Sequence, residues 1–152
     1  MTLRKIRVFA ILLTALALVP GGAHLLALPN KIGLPAEQYL VTQGVYQGWA
    51  LLGIVLFAAL AADALLVLHS RRLPRAFVFA AVGLACVAAT LIIFFAWTYP
   101  ANQATENWTR IPVDWAALRA RWEYSHAVNA VLLFLGLGVV TMSALEGERR
   151  KA

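Results

Sequence analysis

VYQGWALLGIVLFAALAADALLVL, residues 45–68, holds one charged side chain, Asp63, in 24 positions. As a helix rising about 1.5 Å per residue it would exceed the roughly 30 Å hydrocarbon core of a bilayer. Three blocks of the same kind lie on either side of it, Ile6 to Leu28, Ala76 to Tyr99 and Tyr124 to Leu145. The expectation is an all-α polytopic membrane protein: one domain over residues 1–152, a four-transmembrane-helix bundle with short helical extensions in the outer loops. Composition agrees. Hydrophobic residues make up 62% of the chain and charged residues 13%, against roughly 25% charged in soluble domains. The mean hydropathy is +0.76. A soluble monomer is excluded.

The net charge of +6 would suit nucleic acid in a soluble protein, but its placement argues for a lipid bilayer and no nucleic-acid partner. Nine of the 13 basic residues fall on one side: Arg4, Lys5, Arg7; Arg71, Arg72, Arg75; and Arg149, Arg150, Lys151. The other side has Lys31, Arg110, Arg119 and Arg121, offset by Glu37, Glu106, Asp114 and Glu123. The positive-inside rule then predicts a multi-pass protein of the inner membrane with both termini cytoplasmic. Gly21-Gly22-Ala23 also resembles a signal-peptide cleavage site, but the apolar run continues through Leu25, Leu26 and Leu28, and four retained spans fit better. The single cysteine, Cys86, allows neither an internal disulfide nor a cysteine-based metal site.

The polar residues gather in the outer loops and the adjoining span ends. In loop one, Pro35 and Glu37 mark a helix start. From there Tyr39, Gln43, Tyr46 and Trp49 recur at spacings of four and three, predicting one helical face that runs into span two. In loop three Asp114 precedes Trp115, Leu118, Trp122, His126 and Asn129, a stripe entering span four. The same tryptophans would also arise from an aromatic belt alone. Pro20-Gly21-Gly22 predicts a kinked or opened helix, and hence a pocket, beside His24. Asp63 reads as an anchor reaching interfacial water or the Arg71, Arg72 and Arg75 cluster, or as a proton relay. Gly44 and Gly48 form a GxxxG pattern that packs spans or dimerises chains. Asn107-Trp108-Thr109 matches a glycosylation sequon and is given no role.

The first outer segment, His24 to Lys31 with Tyr39, Gln43 and Tyr46-Gln47-Gly48-Trp49, resembles bacterial members of the anthrone-oxygenase-like integral membrane family. The second, Pro100-Ala-Asn102 with Leu118-Arg119-Ala-Arg121-Trp122-Glu123-Tyr-Ser-His126, is similar to that family's Pro-x-Asn and Arg-Trp-x-x-x-His pattern. Asn129 departs from the arginine that many relatives carry three residues after the histidine. The resemblance implies a small four-helix membrane protein. For characterised members it implies an oxygenase converting anthrones to anthraquinones with molecular oxygen and no evident metal or flavin.

Three readings are set against one another. In the first, a cofactor-independent oxygenase acts on a lipophilic aromatic substrate from the outer leaflet. His126, or His24 as second candidate, removes a proton from a carbon next to a carbonyl. Arg121 or Asn102 stabilises the oxyanion, and Trp122, Tyr46 and Trp97 stack on a flat substrate that Tyr39, Gln43 and Asn129 also line. In the second, His24 and His126 ligate haem b for electron transfer. In the third, the chain is a noncatalytic membrane scaffold or subunit.

Overall fold

A computed structural model of the chain describes residues 2–149, with side chains described through Glu146. The basic side chains Arg149, Arg150 and Lys151 lie outside those described. The architecture is an up-down-up-down four-helix bundle, and among the described residues there are no strands. Helix α1 (Leu3–Lys31) leads through α2 (Ala36–Gln43) to α3 (Gly53–Ser70). A short turn then leads to α4 (Pro74–Ile93), α5 (Tyr99–Ala104) and finally α6 (Trp115–Arg149). Helix α1 packs on α3 and α6, and α4 packs on the same two, which makes a square of antiparallel neighbours. All four long segments are apolar enough to cross a membrane.

The helices face inward with their small and polar residues and outward with their large apolar ones. On α1 the buried seam is Arg7, Ala10, Thr14, Ala17, Gly21, His24 and Lys31. Its spacing of three and four, then seven, keeps one face turned to the bundle. Phe9, Leu12, Leu16, Val19 and Leu26 are exposed on the opposite side, where lipid solvates them. Lipid tails are as apolar as leucine, so association rests on close packing, and small residues permit it. A Cβ on Gly83 of α4 would lie 2.5 Å from Val140 Cγ2 on α6, and one on Gly21 would lie 3.4 Å from the Ala130 backbone. The Ser143 hydroxyl adds a bond of 2.7 Å to the Ala76 carbonyl. Midway, Ala17, Ala59, Val87 and Leu133 form an apolar layer.

The structure corrects several expectations. Helix α1 runs through Pro20 and Pro29 to Lys31 without opening, and Gly21 lies against Ala130 of α6. The predicted continuous face from Tyr39 into span two is broken. After Gln43 come two 3-10 turns, Gly44–Tyr46 and Trp49–Leu52, separated by Gly48 at φ 84°. That left-handed conformation is open to glycine without a Cβ penalty. Span three extends past Tyr99 through a π-helical turn, Phe94–Thr98, into α5. Asp63 turns inward, away from the basic turn. It is fully buried, with Oδ2 3.3 Å from the Thr14 hydroxyl that donates to it and Oδ1 without a partner.

Candidate functional site

At the end of the bundle away from the termini, His24 of α1 and His126 of α6 meet. Their rings stack with centroids 4.2 Å apart and planes 26° from parallel. Each lies on the inward stripe of its helix, and the absence of a Cβ at Gly21, one turn before His24, lets the two helices approach closely enough for the rings to touch. Tyr46 packs on His24 at 4.1 Å and Trp49 at 5.8 Å. Trp122 stands edge-on to His24 at 4.8 Å and contacts His126 at 4.3 Å. The broken chain between Gly44 and Leu52 is what brings Tyr46 and Trp49 onto this pair, 5.0 Å from each other. The Trp122 indole donates to Asn102 Oδ1 at 2.7 Å, fixing its tilt.

Beside the rings lies a buried ionic group. Lys31 Nζ is 2.9 Å from Glu123 Oε1, with side-chain exposures of 6% and 0%. The Tyr39 hydroxyl donates to the same oxygen at 2.9 Å. Burial, and after it the Glu123 carboxylate, pushes the Tyr39 phenol far above its ordinary value. The ammonium also sits 4.6 Å from the Tyr46 ring centre and 5.4 Å from that of Trp122, the rings that cover the histidines. Arg119 closes the rim: it donates to the Leu34 carbonyl at 2.6 Å and lies over Trp115 at 4.5 Å. Within this region His24 Nδ1, Gln43 Nε2, Trp108 Nε1, Glu123 Oε2 and Asn129 Oδ1 are buried without a hydrogen-bond partner. Each such atom costs roughly 1–3 kcal/mol when left unpaired, so their concentration here marks a place suited to a ligand with polar atoms.

Trp108 reaches the cluster from loop three, 5.1 Å from Tyr39 and 5.6 Å from Trp122. It gets there through a strained turn: Glu106, Asn107 and Trp108 have φ of 51°, 57° and 65°. Left-handed conformations cost roughly 1–2 kcal/mol per L-residue. Local bonds hold the turn, among them Asn107 N to Asn102 O at 2.7 Å and Trp108 N to Thr105 Oγ1 at 3.1 Å. Asn107 of the sequon is exposed on it.

Of the residues singled out in the sequence, His24, His126, Trp122, Tyr46, Tyr39 and Gln43 come together here, and Asn129 lies buried one turn beyond His126. Asn102 joins through Oδ1, which accepts from Trp122 and leaves the Asn102 amide N–H donors uncommitted by that bond. Arg121 is exposed and Trp97 is 47% exposed, so neither takes part. Lys31, Glu123 and Trp108 were missed as site residues. The signal for Lys31 was its position seven residues after His24, two turns along the same seam; Glu123 lies three before His126, one turn away.

The arrangement offers an imidazole base, a fixed cation and aromatic faces for a flat molecule. It does not fit bis-histidine haem as it stands, because axial ligands lie on opposite faces of the macrocycle, whereas these two rings stack directly on each other. Among the described residues, no three histidine, cysteine or acidic side chains converge as a metal site. No protein-family model matches the chain, and neither a curated protein nor a solved structure is found to be similar to it.

Proposed function

We propose that this chain is a membrane-embedded, cofactor-independent oxygenase of the anthrone-oxygenase-like kind, acting on a lipophilic aromatic ketone that enters from the bilayer. The observation that carries the reading is the His24–His126 stack, walled by Tyr46, Trp49 and Trp122 within the span-adjacent half of the bundle. A neutral imidazole carries a ring nitrogen with which to accept a proton, and aromatic walls suit a planar ring system. His126 takes a proton from the ring methylene of the substrate, leaving an enolate. The enolate passes one electron to dioxygen, and the resulting radical pair closes a carbon–oxygen bond. The peroxide is protonated by the imidazolium. Loss of water, with the second methylene hydrogen, gives the new carbonyl: one anthrone and one dioxygen yield one anthraquinone and one water. The basic termini and the Arg71, Arg72 and Arg75 turn support cytoplasmic termini in an inner membrane, which puts this site in the outer leaflet.

The test is oxygen uptake by detergent-purified protein with anthrone. The expected result is one oxygen per anthrone, with a fall of about 100-fold or more in His126→Gln, the range typical of lost general-base catalysis. No uptake above the uncatalysed rate, or an undiminished rate in His126→Gln, would overturn the reading.

A further inference from the structure

Arg121 points out and Asn102 meets the cluster through its carbonyl oxygen, so the cation that stands beside the histidine pair is Lys31. We propose that Lys31 fills the oxyanion role: its ammonium binds the carbonyl or enolate oxygen of the ligand, with Glu123 and Tyr39 as positioning residues. For the reaction it serves, this rests on the oxygenase reading; for ligand binding it stands alone.

The argument is geometric. A lysine 5% exposed near the outer end of α1 is costly to bury unless paired, and its one counter-ion, Glu123 Oε1, already accepts from Tyr39. Apart from that ion pair, no acceptor among the described residues reaches Lys31 Nζ. An ammonium has three N–H donors, so donor capacity is left over. Nζ and the imidazole pair flank the same two rings, Tyr46 and Trp122. A planar ketone admitted beside those rings would present its oxygen to Nζ and its acidic carbon to an imidazole. Proton removal then moves negative charge toward the ammonium, which is the direction a fixed cation favours. His24 Nδ1 and Gln43 Nε2, also unpartnered, are further polar atoms in the same region. Glu123 keeps the ammonium from withdrawing toward water, and the Tyr39 hydroxyl holds the carboxylate in turn.

Two probes of the same outline separate oxygen binding from ring stacking: 9,10-anthraquinone, with two carbonyl oxygens, and anthracene, with none. Binding of each is read from quenching of tryptophan fluorescence in detergent. The parent protein is compared with the double variant Lys31→Met/Glu123→Gln, in which no carboxylate is left buried without its cation, and Lys31→Arg is measured alongside. The parent protein is expected to prefer anthraquinone by about tenfold or more, the effect of a hydrogen bond to a charged group. The double variant should lose that preference while still binding anthracene, and Lys31→Arg should keep it. A preference that survives in the double variant, or that is absent from the parent, overturns the proposal. Where anthrone is turned over, loss of Lys31 should lower kcat by about 100-fold with a smaller change in KM, and an unchanged kcat also overturns it. If no protein consumes oxygen while the binding preference follows Lys31, the oxygenase reading fails and the oxygen-binding role of Lys31 stands.

Discussion

Replacing Glu123 with alanine tests the ionic group that the bundle buries. The substitution leaves the Lys31 ammonium at 6% side-chain exposure with no counter-ion, and the Tyr39 hydroxyl with no acceptor. Removing one member of a buried ion pair costs about 3–5 kcal/mol, and an orphaned buried hydroxyl adds about 1–3 kcal/mol. The sum, roughly 4–8 kcal/mol, is comparable to the whole stability of many domains. Glu123→Ala should therefore unfold far below the parent in a thermal melt followed by intrinsic fluorescence in mild detergent. Lys31→Met/Glu123→Gln removes both charges and keeps an oxygen near Tyr39, so it should recover to within about 2 kcal/mol of the parent, as buried pairs replaced together often do. The exposed pair Arg110–Glu106, 3.4 Å apart at 65% and 63% exposure, is the control. Arg110→Ala should change stability by no more than about 0.5 kcal/mol. A Glu123→Ala protein as stable as the parent, or a double variant no better than the single one, would refute the reasoning.

Gly83→Ala puts a methyl 2.5 Å from Val140 Cγ2 and should destabilise by about 1–3 kcal/mol. Val140→Ala in the same chain should relieve the clash, whereas Gly22→Ala, which meets nothing within 4 Å, should not lower the melting point. Glu106→Gly should stabilise loop three by about 1 kcal/mol, because glycine lacks the left-handed penalty; slower amide exchange at Asn107 and Trp108 would show it. The Tyr39 phenol is held above its ordinary value in the folded chain, so its contribution to stability is complete below about pH 10. It declines above that pH, as the unfolded phenol ionises. Tyr39→Phe should thus melt with less alkaline sensitivity than the parent between about pH 10 and 11, and equal sensitivity would count against the buried phenol.

The four spans were legible because length and hydropathy suffice to specify them, and the Trp122–His126–Asn129 stripe because helical spacing does. Which flank of that stripe faces inward was not. Arg121 and Glu123 sit about 100° to either side of Trp122 on α6, and only the packing of α1 turns Glu123 in and Arg121 out. Trp97 shows a second limit. The α4 seam Ala76, Ala80, Gly83, Val87, Thr90, continued with α-helical spacing, would put residues 94 and 97 inside. The π turn at Phe94–Thr98 inserts one residue, so Thr98 takes the inward place and Trp97 faces outward. Nothing in the residue types at 94–98 announces that shift. Gly48 likewise reads as a packing glycine until its φ of 84° is seen.

The apolar layer of Ala17, Ala59, Val87 and Leu133 has a consequence for energetics across the membrane. It separates the histidine pair from Thr14 and Asp63, which lie toward the termini. Ten residues along α1 part His24 from Thr14, about 15 Å of helix. On the proposed oxygenase reading, a proton taken up at the imidazoles would return to the face it came from, because this layer offers it no polar route toward Asp63. Transfer of one elementary charge would couple to the membrane potential by about 2.3 kcal/mol per 100 mV; the proposed oxygenase should instead turn over at the same rate in energised and de-energised vesicles.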